Sequence, residues 1–244
     1  MSETRWQATE LKFLVSPDCA SLLKVWGQRY LEMDPHASPE TGDGYFITTL
    51  YCDTPGFDVF HRNGSYGHAK YRVRRYGRGD EIFLERKLRN RDMVVKRRSI
   101  VAVGELAKLH GGKPSPEWDG YWFHRRVVAR GLRPVCQVAY HRTARVGTSH
   151  AGPIRLTIDQ NLHARTAEGV IFDHTEQGAN LLDNRLIVEM KFREGLPELF
   201  RRAIEEFGLR PGTISKYKLA AKRLGLAEDE VVAPSARYEK VKIA

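Results

Sequence analysis

Cysteine is scarce in this chain: its 244 residues include three, Cys19, Cys52 and Cys136, far apart and without CxxC spacing. That excludes a disulfide framework and a cysteine-ligated zinc site, and it fits a reducing cytoplasm. No apolar run approaches the roughly 20 residues that span a bilayer, and Met1 to Gln7 lack an apolar signal region, so the chain reads as soluble, without membrane insertion. The histidines are scattered, with neither a His-x-x-x-His pair nor a His-Cys cluster, and no catalytic role falls to them. Gly77-Arg78-Gly79 lies between two strand-like runs rather than before a helix, so it reads as a hairpin turn and not as a phosphate-cradling loop. There is no internal repeat, no low-complexity tract and no linker, which leaves one domain over residues 1–244.

What the chain has in excess is positive charge. Forty Lys and Arg stand against 30 Asp and Glu, a formal net charge of +10, which favours a polyanionic partner. Nucleic acid is disfavoured among polyanions, because no aromatic stacking platform interleaves with the basic residues. The hydrophobic content of 41% suffices for one substantial core.

Period-two alternation gives about eight strand candidates, near residues 8–15, 45–52, 68–76, 80–88, 93–101, 134–145, 153–162 and 184–193. Helical patterns cover 17–31, 117–130, 197–207 and 215–224, and the polar tail from Glu228 to Ala244 reads as extended or poorly ordered. Successive strand side chains point to opposite faces, so parity separates two surfaces. Leu186, Val188, Met190 and Phe192 share one face, and Ile187, Glu189, Lys191 and Arg193 the other. The same rule groups Glu10 with Lys12, Lys70 with Arg72 and Arg74, Glu85 with Lys87, Lys96 with Arg98, Tyr140 with Arg142, and Arg155 with Thr157 and Asp159.

A sheet with one face in water also accounts for this alternation. Two features favour an inward charged face: Lys or Arg recurs at i, i+2 spacing, and amphipathic helices are available to cover the apolar face. Converging buried cations repel, so such a wall implies a long, highly charged anion. The expected architecture is therefore α+β, an eight-stranded antiparallel β tunnel closed as a barrel, with a polar, basic interior and flanking helices.

The segments Glu10-Leu11-Lys12, Tyr71-Arg72-Val73-Arg74, Leu84-Glu85-Arg86-Lys87, Tyr140-His141-Arg142, Arg155-Leu156-Thr157-Ile158-Asp159, Val188-Glu189-Met190-Lys191 and Ser215-Lys216-Tyr217 occur in this order. Together they resemble the VTC domain, the catalytic domain of polyphosphate polymerases of the vacuolar transporter chaperone type, within the CYTH-like triphosphate tunnel metalloenzymes. The resemblance covers a core of about 9–224, leaving 225–244 as a C-terminal extension. It implies transfer of the terminal phosphate of ATP to a growing polyphosphate chain, assisted by Mn2+ or Mg2+. Carried over by position, Arg72, Arg74, Lys87, Arg142, Arg155 and Lys216 hold phosphates at the reacting centre. Lys12, Lys96, Tyr140 and Ser215 add phosphate contacts, and Glu189 binds the metal. The wider superfamily often begins with Glu-x-Glu-x-Lys, but Ala8 stands where the first glutamate would be, which removes one metal ligand. The coupling of synthesis to translocation known for the eukaryotic complex is not carried over to this chain, while a membrane partner protein stays open. A triphosphatase or polyphosphatase on the same tunnel, and a polyphosphate-binding module without turnover, remain alternatives.

Overall fold

A computed structural model of the chain describes residues 9–37, 43–90, 93–110, 112–173 and 177–229. Ala8 and the tail beyond residue 229 lie outside them. Among the described residues there are ten strands: β1 (Thr9–Val15), β2 (Glu32–Met33), β3 (Gly44–Asp53), β4 (Ala69–Tyr76), β5 (Glu81–Asn90), β6 (Met93–Ala102), β7 (Arg133–Ser149), β8 (Gly152–Thr166), β9 (Ala179–Asn180) and β10 (Leu186–Phe192). The two that alternation did not mark, β2 and β9, are two residues long, too short to show a period. The other eight form one antiparallel path, β1-β10-β8-β7-β3-β4-β5-β6.

Among the described residues no ladder joins edge strand β6 to edge strand β1, so hydrogen bonds do not close the barrel as expected. The sheet nevertheless curls far enough for Lys87 on β5 to reach Glu10 on β1, Nζ to Oε2 2.5 Å. The cations Lys96, Arg97 and Arg98 on β6 suit an edge strand, since charge opposes pairing with another chain.

The helices are α1 (Pro17–Tyr30), α2 (Asp58–His61), α3 (Tyr121–Ala129), α4 (Glu198–Glu206) and α5 (Lys216–Arg223). Ser16 caps α1 by accepting from the Cys19 amide, Pro17 opens it, and Asp18 sits in the first turn, where a negative charge meets the positive end of the helix. Its buried stripe, Ala20, Leu23, Trp26 and Gly27, packs on the outward faces of β1, β8 and β10, and α4 adds Phe200 and Ala203. Gly27 tolerates its helix-interior position because a side chain there would press on Leu156, 3.3 Å from a Cβ. Outward residues of β3, β4, β5 and β7 join Phe123 of α3, Leu106 and Leu109 of a 3-10 helix, and Tyr217 of α5 in the larger core. The apolar cores therefore lie outside the curled sheet, each fully buried Leu or Phe contributing roughly 1.5–3 kcal/mol, and the ionic rows turn inward.

Helix α2 has no amphipathic signature. Its four residues are held by Asp53, whose carboxylate accepts from the amides of Thr54, Val59 and Phe60.

Candidate functional site: a cation-lined tunnel

The inward row of each strand brings its cations onto a few buried carboxylates. Glu85 on β5 is fully buried and accepts from Arg72 Nε at 2.6 Å and Arg98 Nε at 2.7 Å, with Lys96 Nζ at 2.5 Å and Arg74 Nη1 at 4.0 Å. The pairing follows from register, because Arg72 and Arg98 lie directly across from Glu85 on the two neighbouring strands. Burial works to raise the Glu85 pKa, but these four cations hold it well below the usual carboxylate range. Asp159 on β8 takes both arms of Arg142 at 2.6 and 2.8 Å and Lys216 Nζ at 2.6 Å. Burial opposes its ionisation, yet Arg142 and Lys216 bring it down to about 2.

Glu10 and Glu189 lie diagonally on paired strands β1 and β10, opposite Lys191 and Lys12 respectively. Glu189 meets Lys191 at 3.2 Å, while Glu10 meets Lys87 at 2.5 Å and Lys191 at 3.7 Å. Burial raises both pKa values, and the two carboxylates repel, but the surrounding lysines leave both lowered. Arg155 is held from outside the row, by Asp34 at 2.7 Å and the Tyr45 hydroxyl at 2.8 Å.

At three of the lysines burial prevails over the neighbouring carboxylates. Burial takes Lys87 to about 8 despite Glu10 and Glu189, takes Lys96 to about 7 despite Glu85, and lowers Lys70 strongly, with Lys12 and Lys87 adding repulsion. Three strand hydroxyls are buried without a hydrogen-bond partner among the described residues, Thr48 Oγ1 on the outward parity of β3 and Tyr140 Oη and Thr157 Oγ1 on the inward rows. An orphaned buried donor costs about 1–3 kcal/mol unless something fills its need.

Two cavities open along the tunnel. A front cavity of about 590 Å3 has nine Lys and Arg in its lining against one carboxylate, Glu10. A back cavity of about 210 Å3 is lined by Lys12, Lys70, Ser215 and Lys218 among others. Glu10 and Lys87 line both, so their ion pair stands between the chambers. Two helices follow β10, and the second, α5, presents its N-terminus to the back cavity. Ser215 caps it by accepting from the Lys218 amide while also accepting from Lys70 Nζ at 2.9 Å, and Lys12 Nζ donates to the Ile214 carbonyl. The Tyr217 hydroxyl donates to Asp53.

Of the residues named from sequence, Arg72, Arg74, Lys87, Lys96, Arg142 and Arg155 line the front cavity, and Lys12 and Ser215 the back one. Lys216 is on Asp159, with its ammonium 5.0 Å from the centre of the Tyr140 ring. Glu189 is buried among lysines. Arg97, excluded by parity, instead lies over the Trp122 ring at 4.6 Å. The organising roles of Glu10 and Asp159 were not assigned from sequence, although parity places both on the charged rows. An aromatic rim at the front mouth was missed altogether. Tyr76, which lines the mouth, and the buried Phe83 that packs against it share parity with the cations of their strands, but they read as ordinary strand residues until the sheet curls.

An inward-facing basic tunnel of antiparallel strands, with its apolar cores outside and helices covering them, defines the class: a triphosphate tunnel fold of CYTH-like type. The VTC domain family model matches residues 7–224, and the chain belongs to that family. Among solved structures, a Hippeastrum protein described as an adenylyl cyclase candidate with dominant triphosphatase activity is 16% identical, with a TM-score of 0.51 over 90% of this chain and 97% of that one. The PH1819 protein of Pyrococcus horikoshii is 14% identical, TM-score 0.49, over 88% and 99% of the two chains. An adenylate cyclase candidate from Bacillus halodurans is 15% identical, TM-score 0.49, over 85% and 92%. No curated protein matches the sequence. Among the described residues, no helix is long and apolar enough to cross a membrane.

Proposed function

We propose that the tunnel transfers the terminal phosphate of ATP to a growing polyphosphate chain. The observation that carries this reading is the cationic excess of the front cavity: nine Lys and Arg line it, and five carboxylates meet them, Glu10 in the lining and Asp34, Glu85, Asp159 and Glu189 behind it. Such a wall is self-repulsive when empty and is neutralised by a chain of phosphates. Arg72, Arg74, Arg142 and Lys216 hold the phosphates of the donor, with arginine forks suited to two oxygens at once. Tyr140 and Thr157 offer hydroxyl donors that have no other partner among the described residues. Lys12, Lys70 and Ser215 in the back cavity give an acceptor chain its own anion site beyond the Glu10–Lys87 pair, which supports transfer to phosphate over transfer to water.

In the step itself a terminal oxygen of the acceptor chain bonds to the γ-phosphorus as its bond to the β,γ-bridging oxygen breaks, and ADP leaves. The tunnel contributes positioning and neutralisation of the equatorial oxygens, which is most of what phosphoryl transfer requires. Glu189 and Glu10 fit a divalent ion, since magnesium or manganese commonly takes one or two carboxylates and completes its shell with water and substrate oxygens. Among the described residues no group of three His, Cys, Asp or Glu side chains gathers, so phosphate oxygens would supply the rest. When bound, the ion adds charge neutralisation on the phosphates.

The test is purified protein with ATP and Mn2+, resolved on a polyphosphate-stained gel. Chains lengthening with time are expected, and Glu189→Gln should reduce the rate at least a hundredfold (about 10² or more, as for loss of an electrostatic group at the reacting centre), with a lower melting temperature in the ligand-free protein because Lys191 loses its buried partner. Phosphate release without chain growth would make water the acceptor. Neither product would leave a binding module.

A further inference from the structure

The tunnel is chemically polarised along its length. On β4 the inward row runs Lys70, Arg72, Arg74, Tyr76; on β5 Lys87, Glu85, Phe83; on β6 Lys96, Arg98, Ile100. Register sets Phe83 directly opposite Ile100, and Arg74 opposite Phe83, so apolar side chains of β5 and β6 line up beside Tyr76 at one end, with the exposed Glu81 beyond Phe83. Tyr45 approaches from β3. The far side of the mouth adds Val146, Pro153 and Ile154 to the lining, together with the cation Arg193 that follows β10. At the other end the rows finish in Lys12, Lys70 and Ser215.

An inorganic phosphate chain has no surface that an apolar collar could bind, and a collar around a basic floor is what a phosphate ester with a flat organic group requires. The ring of Tyr76 offers a rigid platform. Tyr45 and Phe83 brace it edge-on, with centroids at 5.7 and 5.0 Å and interplanar angles of 63° and 89°. The exposed His36 lies nearly parallel to it, 6.1 Å away and tilted by 15°. Ile100 remains 47% exposed, an apolar side chain on an inward row with nothing covering it. At about 590 Å3 the front cavity is of the size that encloses a whole drug-sized ligand rather than three phosphates alone.

We infer that the front mouth is a nucleobase subsite, in which the base of a nucleoside triphosphate lies against Tyr76, flanked by His36 and Ile100, while its phosphates extend inward to Arg74 and Arg142. This rests on the phosphate-tunnel reading above and adds to it the direction of entry: the donor comes in by the aromatic end. Base-on-aromatic stacking tolerates any base, so discrimination falls between esters with and without a ring rather than among nucleotides.

The experiment is calorimetric titration of the full chain at one ionic strength, without added divalent metal to suppress turnover, using ATP, methyl triphosphate and tripolyphosphate. Methyl triphosphate matches ATP in ester linkage and charge but lacks the base. ATP should bind about tenfold tighter than methyl triphosphate, the low end of one stacking contact. Tyr76→Ala should bring ATP to the methyl triphosphate level while tripolyphosphate affinity stays within about twofold, and Tyr76→Phe should keep the ATP preference. His36→Ala and Ile100→Ser, at exposed positions that do not threaten folding, should each reduce the same preference in part. Equal affinity for ATP and methyl triphosphate in the parent overturns the subsite, as does a preference that survives all the variants. A Tyr76→Ala variant that weakens all three ligands alike makes the collar merely structural and also overturns it. Failure of tripolyphosphate to bind the parent sinks the phosphate tunnel, and the subsite with it. Binding of tripolyphosphate without a preference for the base sinks the subsite alone.

Discussion

Lys87 and Lys96 are held at about 8 and about 7, in each case because burial outweighs the neighbouring carboxylate. Lys87 faces Glu10, Glu189, Lys12 and Lys191; Lys96 faces Glu85, Arg72 and Arg98. A lysine whose folded pKa lies below its unfolded value binds fewer protons in the native state, so native stability rises as pH climbs from the folded value toward about 10.4. Tyr76, which burial would raise but Arg74, Arg98 and Lys96 bring down to about 7, acts in the same sense. Above roughly 8.5 the buried thiols of Cys52 and Cys136, pushed up by burial, begin to act the other way. The ligand-free protein should therefore melt at increasing temperature between pH 7 and 8.5, with the slope reduced in Lys96→Met. Saturating tripolyphosphate should flatten it, since an anion on the lysines restores their protonation. A ligand-free melting temperature that falls across this window would show that the two lysines are already charged and solvated.

At the scale of elements, α5 matters out of proportion to its eight residues. It carries Lys216 to Asp159 and Ser215 to Lys70, and its seat is the hydrogen bond from Tyr217 to Asp53, reinforced by stacking on Tyr51 at 5.3 Å. Asp53 also holds α2 through the amides of Val59 and Phe60, with that of Thr54 before the helix, so one buried carboxylate locks two helices to the end of β3. Tyr217→Phe removes one hydrogen bond to a charged acceptor and should cost roughly 1.5–3 kcal/mol in a denaturant titration. Because the displaced element bears two tunnel groups, tripolyphosphate affinity should fall as well. A loss of stability with unchanged affinity would mean that α5 keeps its place without this bond.

The whole molecule couples ligand to fold through charge. With Lys and Arg converging on one tunnel and a net charge of +10, a bound polyanion should stabilise the chain well beyond a neutral ligand of the same size. Binding to the native state alone contributes about 2.7 kcal/mol at a hundredfold excess over Kd. At about 2–4 °C per kcal/mol for a chain of this length, tripolyphosphate should raise the melting temperature by several degrees. Longer chains should raise it further by reaching the back cavity, and salt should erode the shift. Single-stranded DNA of matched phosphate count should do much less, because its bases cannot follow the phosphates inward past the mouth. Equal shifts from DNA and polyphosphate at one ionic strength would indicate a generic basic surface.

Period-two alternation is a property of a few consecutive residues, and it was enough to determine which side chains share a face. Leu186, Val188, Met190 and Phe192 pack outward, Glu189 and Lys191 turn inward, and the polar rows of β4, β5, β6, β7 and β8 were legible in the same way. The start of α1 was legible too, because Ser16, Pro17 and Asp18 act on the backbone beside them. Helix α2 was not, since it is built by a carboxylate donated from β3 and not by any pattern of its own. Tertiary structure alone decided which rows meet. Glu10 reaches Lys87 across 77 residues and Tyr217 reaches Asp53 across 164, separations over which local periodicity carries no information. The same holds for the mouth: Tyr45, Tyr76, Phe83 and Ile100 are unremarkable strand residues one by one, and register and sheet curvature make them a collar. Side-chain direction follows from covalent geometry within each strand, whereas the convergence of distant strands depends on how the outer apolar faces pack beneath their helices.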